Sequence, residues 1–327
     1  GLLTGEACAG IPVTGNYEFL PNVGRDPERR GHYYVAVASG GVWKTTTAGT
    51  TWTPVFDAQG SYSIGCVTLD PTNPNVVWAG TGEEDSRNSI SPGGGIYKST
   101  DGGQTWELKG LEETQVIGRI VVHPTNPDRV WVAALGHIWD ANPERGLYRT
   151  DDGGETWELK KFISDEAGFV DVVMDPRDPD VLFAASWERV RGPYFLNSGG
   201  PGSALWKTTD GGETWTQVRH EPQLVESVCQ GSIIRFGHHR NNNIYLFSNP
   251  LVPVGRSHMT IHSSFDDCTT WSNSRLVYRG PSAYSCLAAL PDGNIGLFFE
   301  AGEFGIVSRH QQSASSGRSE NCNRKGI

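Results

Sequence analysis

Three side chains in the last third of the sequence have types and neighbours that suit chemistry. Tyr284 lies in "GPSAYSCLAALPDG", where small residues surround it at the start of an apolar run, and Glu300 ends the next run, "NIGLFFEAG". Arg256 lies upstream in "SNPLVPVGRSHMT". A tyrosine with a pKa of about 10 needs a neighbouring base to react near neutral pH, whereas an arginine fork binds a carboxylate through two hydrogen bonds. Tyr284 is therefore either a packed strand aromatic or a reactive group at the mouth of a site.

The elements that must position these residues form a repeat. The motif S/T-x-D-x-G-x-T-W occurs as "STDGGQTW", "TDDGGETW" and "TTDGGETW", with degenerate copies "TTTAGTTW" and "SFDDCTTW". A second motif, such as "LDPTNPNVVWAG", precedes each good copy, and its weaker versions bring the number of units to six. Self-similarity at a fixed period indicates a repeat architecture. Spacings of 54, 51, 58 and 56 residues separate the tryptophans that end the first motif: Trp52, Trp106, Trp157, Trp215 and Trp271.

Each unit fits four short strands. In the second unit we expect strands over "IGCVTLD", "NVVWAGT", "IYKST" and "TWEL", with turns at "PTNP" and "DGGQ". Four short strands per repeat, arranged radially, are typical of a β-propeller. The sequence therefore predicts an all-β fold with a single six-bladed propeller over residues 1–309, whose last blade is completed by residues 1–20. A polar tail is expected over residues 310–327.

The aspartates of the repeat motif have a structural interpretation. Asp101, Asp152 and Asp210 can accept backbone N–H bonds within their own turns, and the glycines beside them can adopt positive φ. The tryptophan that ends each motif is expected to pack between neighbouring blades. We favour this interpretation over a catalytic or metal-binding role for the motif.

The repeats resemble Asp-box (BNR) repeats, which occur in sialidases, sortilin-type receptors, some xyloglucanases and many secreted propellers. In that architecture the Asp-box turns lie on the face opposite the ligand site. Residues 221–307 resemble the last blades of sialidases, through "EPQLVESVCQGSIIRF" and the two C-terminal stretches quoted above. Residues 25–218 resemble non-sialidase bacterial Asp-box propellers, through stretches such as "VASGGVWKTTTAGTTWTPVFD". A seam between the two families is expected near residues 219–221.

The sialidase resemblance implies roles for the three C-terminal residues. Tyr284 matches the tyrosine that attacks the anomeric carbon of sialic acid. Arg256 matches a member of the arginine triad that binds the sugar carboxylate, and Glu300 matches the glutamate that orients a triad arginine. A neutral phenol is less repelled by the substrate's own carboxylate than Asp or Glu, and sialidases are the known users of a tyrosine nucleophile.

The remaining members of such a site must come from the earlier repeats. The Y/F-R-I-P segment that carries the first triad arginine in the family is replaced by "YEFLPN", which has no arginine. On the expected ligand face, Asp171 or Glu83 is a candidate acid/base, with Asp171 preferred. The candidates for completing the carboxylate clamp are Arg119, Arg189 and Arg191, with the first two preferred.

These residues support two leading functions. One is a retaining exo-sialidase, and the alternative is a non-catalytic glycan- or protein-binding propeller that keeps part of the site. A purely structural scaffold is a third possibility. The resemblance further implies a secreted, extracellular or periplasmic monomer that binds sialylated glycans or another carbohydrate.

Charge and cysteine content exclude other classes of function. The chain has 37 acidic and 27 basic residues, and its net charge of −10 argues against binding to nucleic acid or to an anionic membrane surface. It has no apolar run of about 18 residues that would span a membrane. The six cysteines lack C-x-x-C spacing, so no metal site is predicted, and no cofactor is expected. Cys8 and Cys322 either form a disulfide or remain thiols.

Overall fold

A computed structural model describes residues 22–26, 29–84, 90–175, 178–216, 221–225, 229, 231–239, 242–266, 268–271, 273–290, 293–302 and 306–311. These residues form β-strands and one 3-10 turn, Glu112–Thr114, which confirms the all-β prediction. The chain divides into two compact units, Gly1–Val218 and Arg219–Ile327. Residues 1–20, predicted to complete the last blade, lie outside the described residues, as do Cys8 and Cys322.

The described residues of the first unit form four antiparallel sheets. The first sheet is β1 (Asn22–Arg25), β2 (Tyr33–Val37), β3 (Gly41–Thr45) and β4 (Thr53–Pro54). The second is β5 (Ile64–Asp70), β6 (Asn73–Thr81), β7 (Ile96–Ser99) and β8 (Glu107–Leu108). The third is β9 (Ile117–Val122), β10 (Val130–Ala134), β11 (Gly146–Thr150) and β12 (Glu158–Lys161). The fourth is β13 (Ala167–Asp175), β14 (Asp178–Arg191), β15 (Leu196–Ser198) and β16 (Ala204–Thr208).

The order of strands in the first unit follows the predicted repeat. The four strands expected in the second repeat coincide with β5, β6, β7 and β8, within one to two residues at each end. The first strand of each sheet contacts the first strand of the next, from β1 through β5 and β9 to β13. The buried side chains form apolar clusters that draw residues from successive sheets, such as Tyr34 and Val67, or Cys66 and Ile120. Burial of these clusters supplies the main driving force for the repeat.

The second unit differs from the prediction of separate four-stranded repeats. Its six strands form one continuous sheet: β17 (Ser232–His239), β18 (Asn242–Pro250), β19 (Ser257–Ser264), β20 (Asn273–Ala289), β21 (Ile295–Ala301) and β22 (Ile306–Gln311). The 17-residue strand β20 pairs with β19 up to Pro281 and with β21 from Ser282 onward. Proline has no backbone N–H, which suits a point where the ladder passes from one partner to another. The predicted tail begins inside β22, and residues 312–327 lie outside the described residues.

The Asp-box turns have the predicted internal bonding. Oδ1 of Asp101 accepts the backbone N–H groups of Gln104 and Thr105, each at 2.9 Å. These bonds and the hydroxyl of Thr105 lower the pKa of Asp101 to about 2. The glycine pairs beside the aspartates have positive φ, for example 72° and 86° at Gly102 and Gly103. The predicted geometry of this turn, with backbone bonds to the aspartate and positive φ at the glycines, is therefore confirmed.

The tryptophans that end the three good copies of the motif pack on the preceding sheet, as expected. The ring of Trp106 lies 5.0 Å from Phe56, and its Nε1 donates to the carbonyl oxygen of Val55 at 2.7 Å. Trp157 contacts Trp78 edge-on, with the ring centroids 6.4 Å apart. Aromatic pairs in this geometry stabilise the contact beyond the effect of buried area alone.

In three sheets, a lysine or arginine on the third strand contacts the next repeat. This contact was not predicted from the sequence. Each cation lies within 5.4 Å of an aromatic ring of its own sheet: Lys44 over Tyr34, Lys98 over Trp78, Arg149 over Trp131. Each also donates, over 2.7 to 3.0 Å, to the first glycine carbonyl of the next Asp-box turn: Lys44 to Gly102, Lys98 to Gly153, Arg149 to Gly211. The recurring K/R after an aromatic in "VWKTT", "IYKST" and "LYRTD" is the signal that could have revealed it.

No helix in the described part of the chain is long and apolar enough to span a membrane.

Candidate functional site

Tyr284 and Arg256 lie together in the second unit. Cζ of Arg256 lies 5.3 Å from the centroid of the Tyr284 ring, which is a cation–π distance. Tyr284 is 49% exposed, and Arg256 is exposed as well. The side chain of Tyr284 is therefore not a core aromatic, and a ligand that reaches the phenol also meets a guanidinium.

A β-bulge lies at Tyr284. In the ladder between β20 and β21, Ser282 pairs with Ala301 and Ser285 pairs with Phe299. Two residues of β20, Ala283 and Tyr284, therefore stand opposite the single residue Glu300, which is exposed. Bulges change the direction of side chains and are common beside active sites. The register puts the Glu300 position next to that of Tyr284 on the neighbouring strand.

Hydrogen bonds anchor the strand on both sides of the bulge, through buried hydroxyl groups after it and a backbone bond before it. Oγ of Ser285 lies 2.8 Å from Oγ of Ser248, and Oγ of Ser232 accepts the backbone N–H of Leu287 at 3.0 Å. The backbone N–H of Ser282 donates to the carbonyl oxygen of Arg256 at 3.0 Å. Ser282 and Ser285 flank Tyr284 in "GPSAYS". Their bonds limit the freedom of the segment that carries Tyr284.

A second group of candidates lies in the first unit, where Arg119 and Asp171 form an ion pair. Nε of Arg119 lies 3.5 Å from Oδ1 of Asp171, and the two side chains are 41% and 52% exposed. A register shift between Phe169 and Asp171 marks a bulge in β13 at this position. Arg119 is on β9, so the pair joins the first strands of two neighbouring sheets.

The surroundings of Asp171 favour its protonated form. Surrounding protein atoms remove water from the carboxyl group and raise its pKa, and Arg119 opposes this effect without cancelling it. The side chain is half exposed and also crowded, which is the situation of a group at the wall of a recess open on one side. A carboxyl group that retains its proton to higher pH is suited to general acid catalysis.

Glu84 contributes a further carboxylate to this group. A Cβ atom at Gly118 would overlap Oε2 of Glu84 and lie 2.6 Å from the carbonyl oxygen of Val170. Glycine is therefore favoured at position 118, because the backbone carbonyl of Val170 leaves no room for a Cβ atom and the Glu84 carboxylate lies in the same space. Burial raises the pKa of the nearby Cys66 thiol to about 12, an effect that Glu84 reinforces. This thiol remains protonated at neutral pH and is no nucleophile.

Arg189, the third candidate of the first unit, is fully buried. Its residue exposure is 0%, and its guanidinium lies 4.6 Å from the ring of Trp187. The backbone N–H of Arg189 donates to the carbonyl oxygen of Glu166 at 2.8 Å, which fixes this part of β14. A ligand carboxylate would reach this arginine only after the residues that cover it had moved.

The six preferred candidates thus form two groups. Tyr284, Arg256 and Glu300 belong to the second unit, and Asp171, Arg119 and Arg189 to the first. Within each group one close pair is present, Tyr284 with Arg256 and Arg119 with Asp171. In the described residues there is no group of three or more His, Cys, Asp or Glu side chains that could hold a metal ion.

Comparisons with known proteins find relatives of both predicted kinds. The family model described as sortilin, neurotensin receptor 3, matches residues 94–221. A sialidase of Micromonospora viridifaciens is 27% identical over 266 residues, which are 71% of this chain and 35% of that protein. A sialidase of Bacteroides fragilis is 29% identical over 231 residues, which are 63% of this chain and 39% of the relative. The chain therefore matches little more than a third of the length of these relatives.

The solved structures support the fold. The crystal structure of an ancestral GH74 enzyme superposes with a TM-score of 0.57 at 17% identity, covering 90% of this chain and 37% of that one. This similarity supports the fold alone, which is that of a β-propeller. The predicted resemblance to BNR-repeat propellers, both sialidases and non-sialidase relatives, is thereby confirmed.

Proposed function

We propose that the protein is a glycoside hydrolase of the sialidase type, which removes terminal sialic acid with retention of configuration and uses Tyr284 as its nucleophile. One observation carries the proposal: the guanidinium of Arg256 lies 5.3 Å from the ring of a half-exposed Tyr284. A carboxylate bound by this arginine would hold the adjoining anomeric carbon beside the phenol oxygen. The sialidase relatives support the same assignment.

The first chemical step forms a bond between the phenol oxygen of Tyr284 and the anomeric carbon. The glycosidic bond breaks, and the leaving oxygen takes a proton from solvent water. The phenol proton passes to Glu300, the carboxylate on the strand beside Tyr284. Water then attacks the anomeric carbon, its proton passes to the hydroxide formed in the solvent, and the phenol leaves as the free sugar forms. Asp171, of the first unit, stays a predicted acid/base. Tyr284 recovers its proton from Glu300.

The charges of the proposed groups match these roles. Protein atoms around Asp171 raise its pKa, so a larger fraction holds the proton that a general acid must give. Arg256 and Arg119 are exposed enough to meet a carboxylate, and arginine keeps its charge at every relevant pH. Arg189 has no substrate contact in this scheme because its side chain is buried.

A specific observation favours a second candidate, a carbohydrate-binding propeller without catalytic activity. Arg119 is engaged by Asp171 at 3.5 Å, and Arg189 is buried. A carboxylate clamp then rests on Arg256, which weakens the hold on the substrate in the transition state. Under this alternative the second unit binds sialylated glycans and does not cleave them.

The proposal extends to the whole molecule. Six repeats in the sequence support a six-bladed ring, and the first four sheets supply four strands each. A monomer suits a closed ring of blades, which leaves only short, protected sheet edges for association. A secreted or periplasmic location suits the substrate, since terminal sialic acids are carried by glycans outside the cytoplasm.

Turnover of a fluorogenic sialoside by the wild type, Tyr284→Phe and Tyr194→Phe tests the reaction. We expect the wild type to release the fluorophore and Tyr284→Phe to lose at least about 1,000-fold in kcat, the scale of losses when a nucleophile is removed. Tyr194→Phe is the matched control, since Tyr194 is fully exposed in the first unit, and it should keep wild-type activity.

Calorimetric titration with free sialic acid separates the two candidate functions. Binding that disappears in Arg256→Ala, together with no turnover by the wild type, would support the binding module. Neither turnover nor binding would contradict both candidates. Galactose, a neutral sugar, is the ligand control, because only the sugar with a carboxylate should need Arg256.

A further inference from the structure

We propose that His258 is a positioning residue whose left-handed backbone holds Arg256 over Tyr284. The inference rests on the proposed function only for the chemical role of the pair. The position of Arg256 depends on the backbone at the start of β19, and it can be measured without any substrate.

The backbone of His258 has an unfavourable conformation. Its φ is +62°, a region that side chains with a Cβ atom adopt at a cost and that β-branched residues avoid. Such residues persist where surrounding contacts determine the backbone, and they concentrate at functional sites. Four other non-glycine residues of the described chain have positive φ. Ala48 and Cys268 lie in Asp-box turns, and Leu111 and Gln115 cap the 3-10 turn Glu112–Thr114.

Hydrogen bonds hold His258 in this conformation. Its carbonyl oxygen accepts the backbone N–H of Leu251 at 3.0 Å and the hydroxyl of Thr260 at 2.8 Å. Its Nδ1 lies 2.8 Å from Oγ of Ser257. The bond to Leu251 closes the base of the loop, so the loop between these two residues is fixed at both ends.

The strand register explains what this conformation does. Ser257 pairs with Pro281 and Met259 pairs with Tyr278, so His258 stands where the ladder between β19 and β20 is interrupted. The interruption lets the chain before it turn toward the second half of β20. There the carbonyl oxygen of Arg256 accepts the N–H of Ser282 at 3.0 Å, two residues before Tyr284.

These contacts form a continuous path from His258 to the reactive pair. The left-handed residue sets the start of β19, the start of β19 sets the backbone of Arg256, and that backbone is bonded to the segment that carries Tyr284. A straight β-conformation at position 258 would redirect Arg256 away from the ring. The side chain of His258 is secondary in this scheme, since the backbone conformation does the positioning.

The nuclear magnetic resonance signal of the Arg256 Nε–H group tests the proposal directly. A proton above an aromatic ring shifts upfield, so this signal should be displaced in the wild type and return to an ordinary position in Tyr284→Ala. We expect His258→Gly and His258→Asn to keep the displacement, because both residues tolerate positive φ. His258→Val should lose it, because valine does not.

Kinetics provide the second measurement. If the sialidase activity exists, kcat/KM for a sialoside should fall on the order of 100-fold in His258→Val, as expected for a misplaced catalytic group, and remain close to wild type in His258→Asn. If the wild type has no activity, the resonance experiment still decides the inference, so the two failures are distinguishable. Ala48→Gly, which relieves similar strain in the first unit, is the control and should change neither readout.

Two outcomes would overturn the proposal. One is an unchanged Arg256 signal in His258→Val. The other is an equal loss in the glycine, asparagine and valine variants, since that would assign the effect to the imidazole and not to the backbone. If the valine variant does not fold, His258→Ala replaces it, because alanine also disfavours this region but is not β-branched.

Discussion

At the scale of single residues, two aspartates of the first unit have pKa values that move in opposite directions. Loss of surrounding water raises the pKa of Asp171, whereas hydrogen bonds from Thr105 and its neighbours lower that of Asp101 to about 2. Ionisation of the aspartate therefore destabilises the fold at position 171 and stabilises it at position 101. One carboxyl group suits proton transfer, and the other suits a permanently ionised turn.

We predict opposite pH dependences for the variants Asp171→Asn and Asp101→Asn. The folded pKa of Asp171 is above its unfolded value, so the folded state binds more protons and stability falls as pH rises through that window. Asp101 has the reverse sign: its contribution is present above an unfolded pKa of about 3.9 and is lost as pH falls toward about 2.

Thermal unfolding of the three proteins between about pH 3 and about pH 7 measures this difference. Relative to wild type, Asp171→Asn should gain Tm as the pH rises, because the exposed ion pair with Arg119 that it loses contributes little. Asp101→Asn should lose Tm as the pH rises. Parallel curves for the two variants would contradict the prediction.

At the scale of elements, the Asp-box turn depends on positive φ at two successive positions. Gly211 and Gly212 have φ of 65° and 86°, and a Cβ atom at Gly212 would overlap the ring of Trp131 in the preceding sheet. The degenerate first turn has Ala48 at the first of these positions, with φ of 54°. There the hydroxyl of Thr47 replaces the aspartate and accepts the N–H of Thr51 at 2.9 Å.

We predict that Gly212→Ala destabilises the protein by about 2 kcal/mol or more, since it adds strain and overpacks the contact with Trp131. Ala48→Gly should stabilise it by about 0.5 kcal/mol, because glycine relieves the strain at positive φ but loses more entropy on folding. Denaturant unfolding gives both values. A neutral Gly212→Ala would mean that the turn does not need the close approach between sheets.

At the scale of the whole molecule, the sequence predicts one propeller over residues 1–309, and the contacts group the chain into the units Gly1–Val218 and Arg219–Ile327. The change of family resemblance predicted near residues 219–221 stays a prediction. A single closed ring and two linked units have different thermodynamic signatures, because a ring of mutually packed blades unfolds together.

Calorimetry of the wild type and Gly212→Ala tests the single-domain prediction. We expect one unfolding transition, and we expect Gly212→Ala to move all of it to lower temperature. Two transitions, of which the substitution moves one, would contradict a single ring. The substitution lies in the first unit and so marks which transition belongs to it.

The sequence by itself determined the repeat, its strands and its turns. Alternating apolar residues and the D-G-G turn are local features, so β5 to β8 and the bonding of Asp101 followed from the residue pattern. The K/R positions that join repeats carried a signal of the same kind. The long strand β20 was not predicted, because Gly280 and Pro281 resemble a turn although the chain continues through them.

Only the tertiary structure decided how the candidate residues are used. Burial of Arg189, the ion pair of Arg119 with Asp171 and the approach of Arg256 to Tyr284 depend on residues distant in the chain or on backbone conformation. A sequence pattern specifies on which strand a side chain lies. Packing sets how much water a side chain loses and which charges lie beside it. These two effects determine which arginine is exposed to a ligand carboxylate and which carboxyl group keeps its proton.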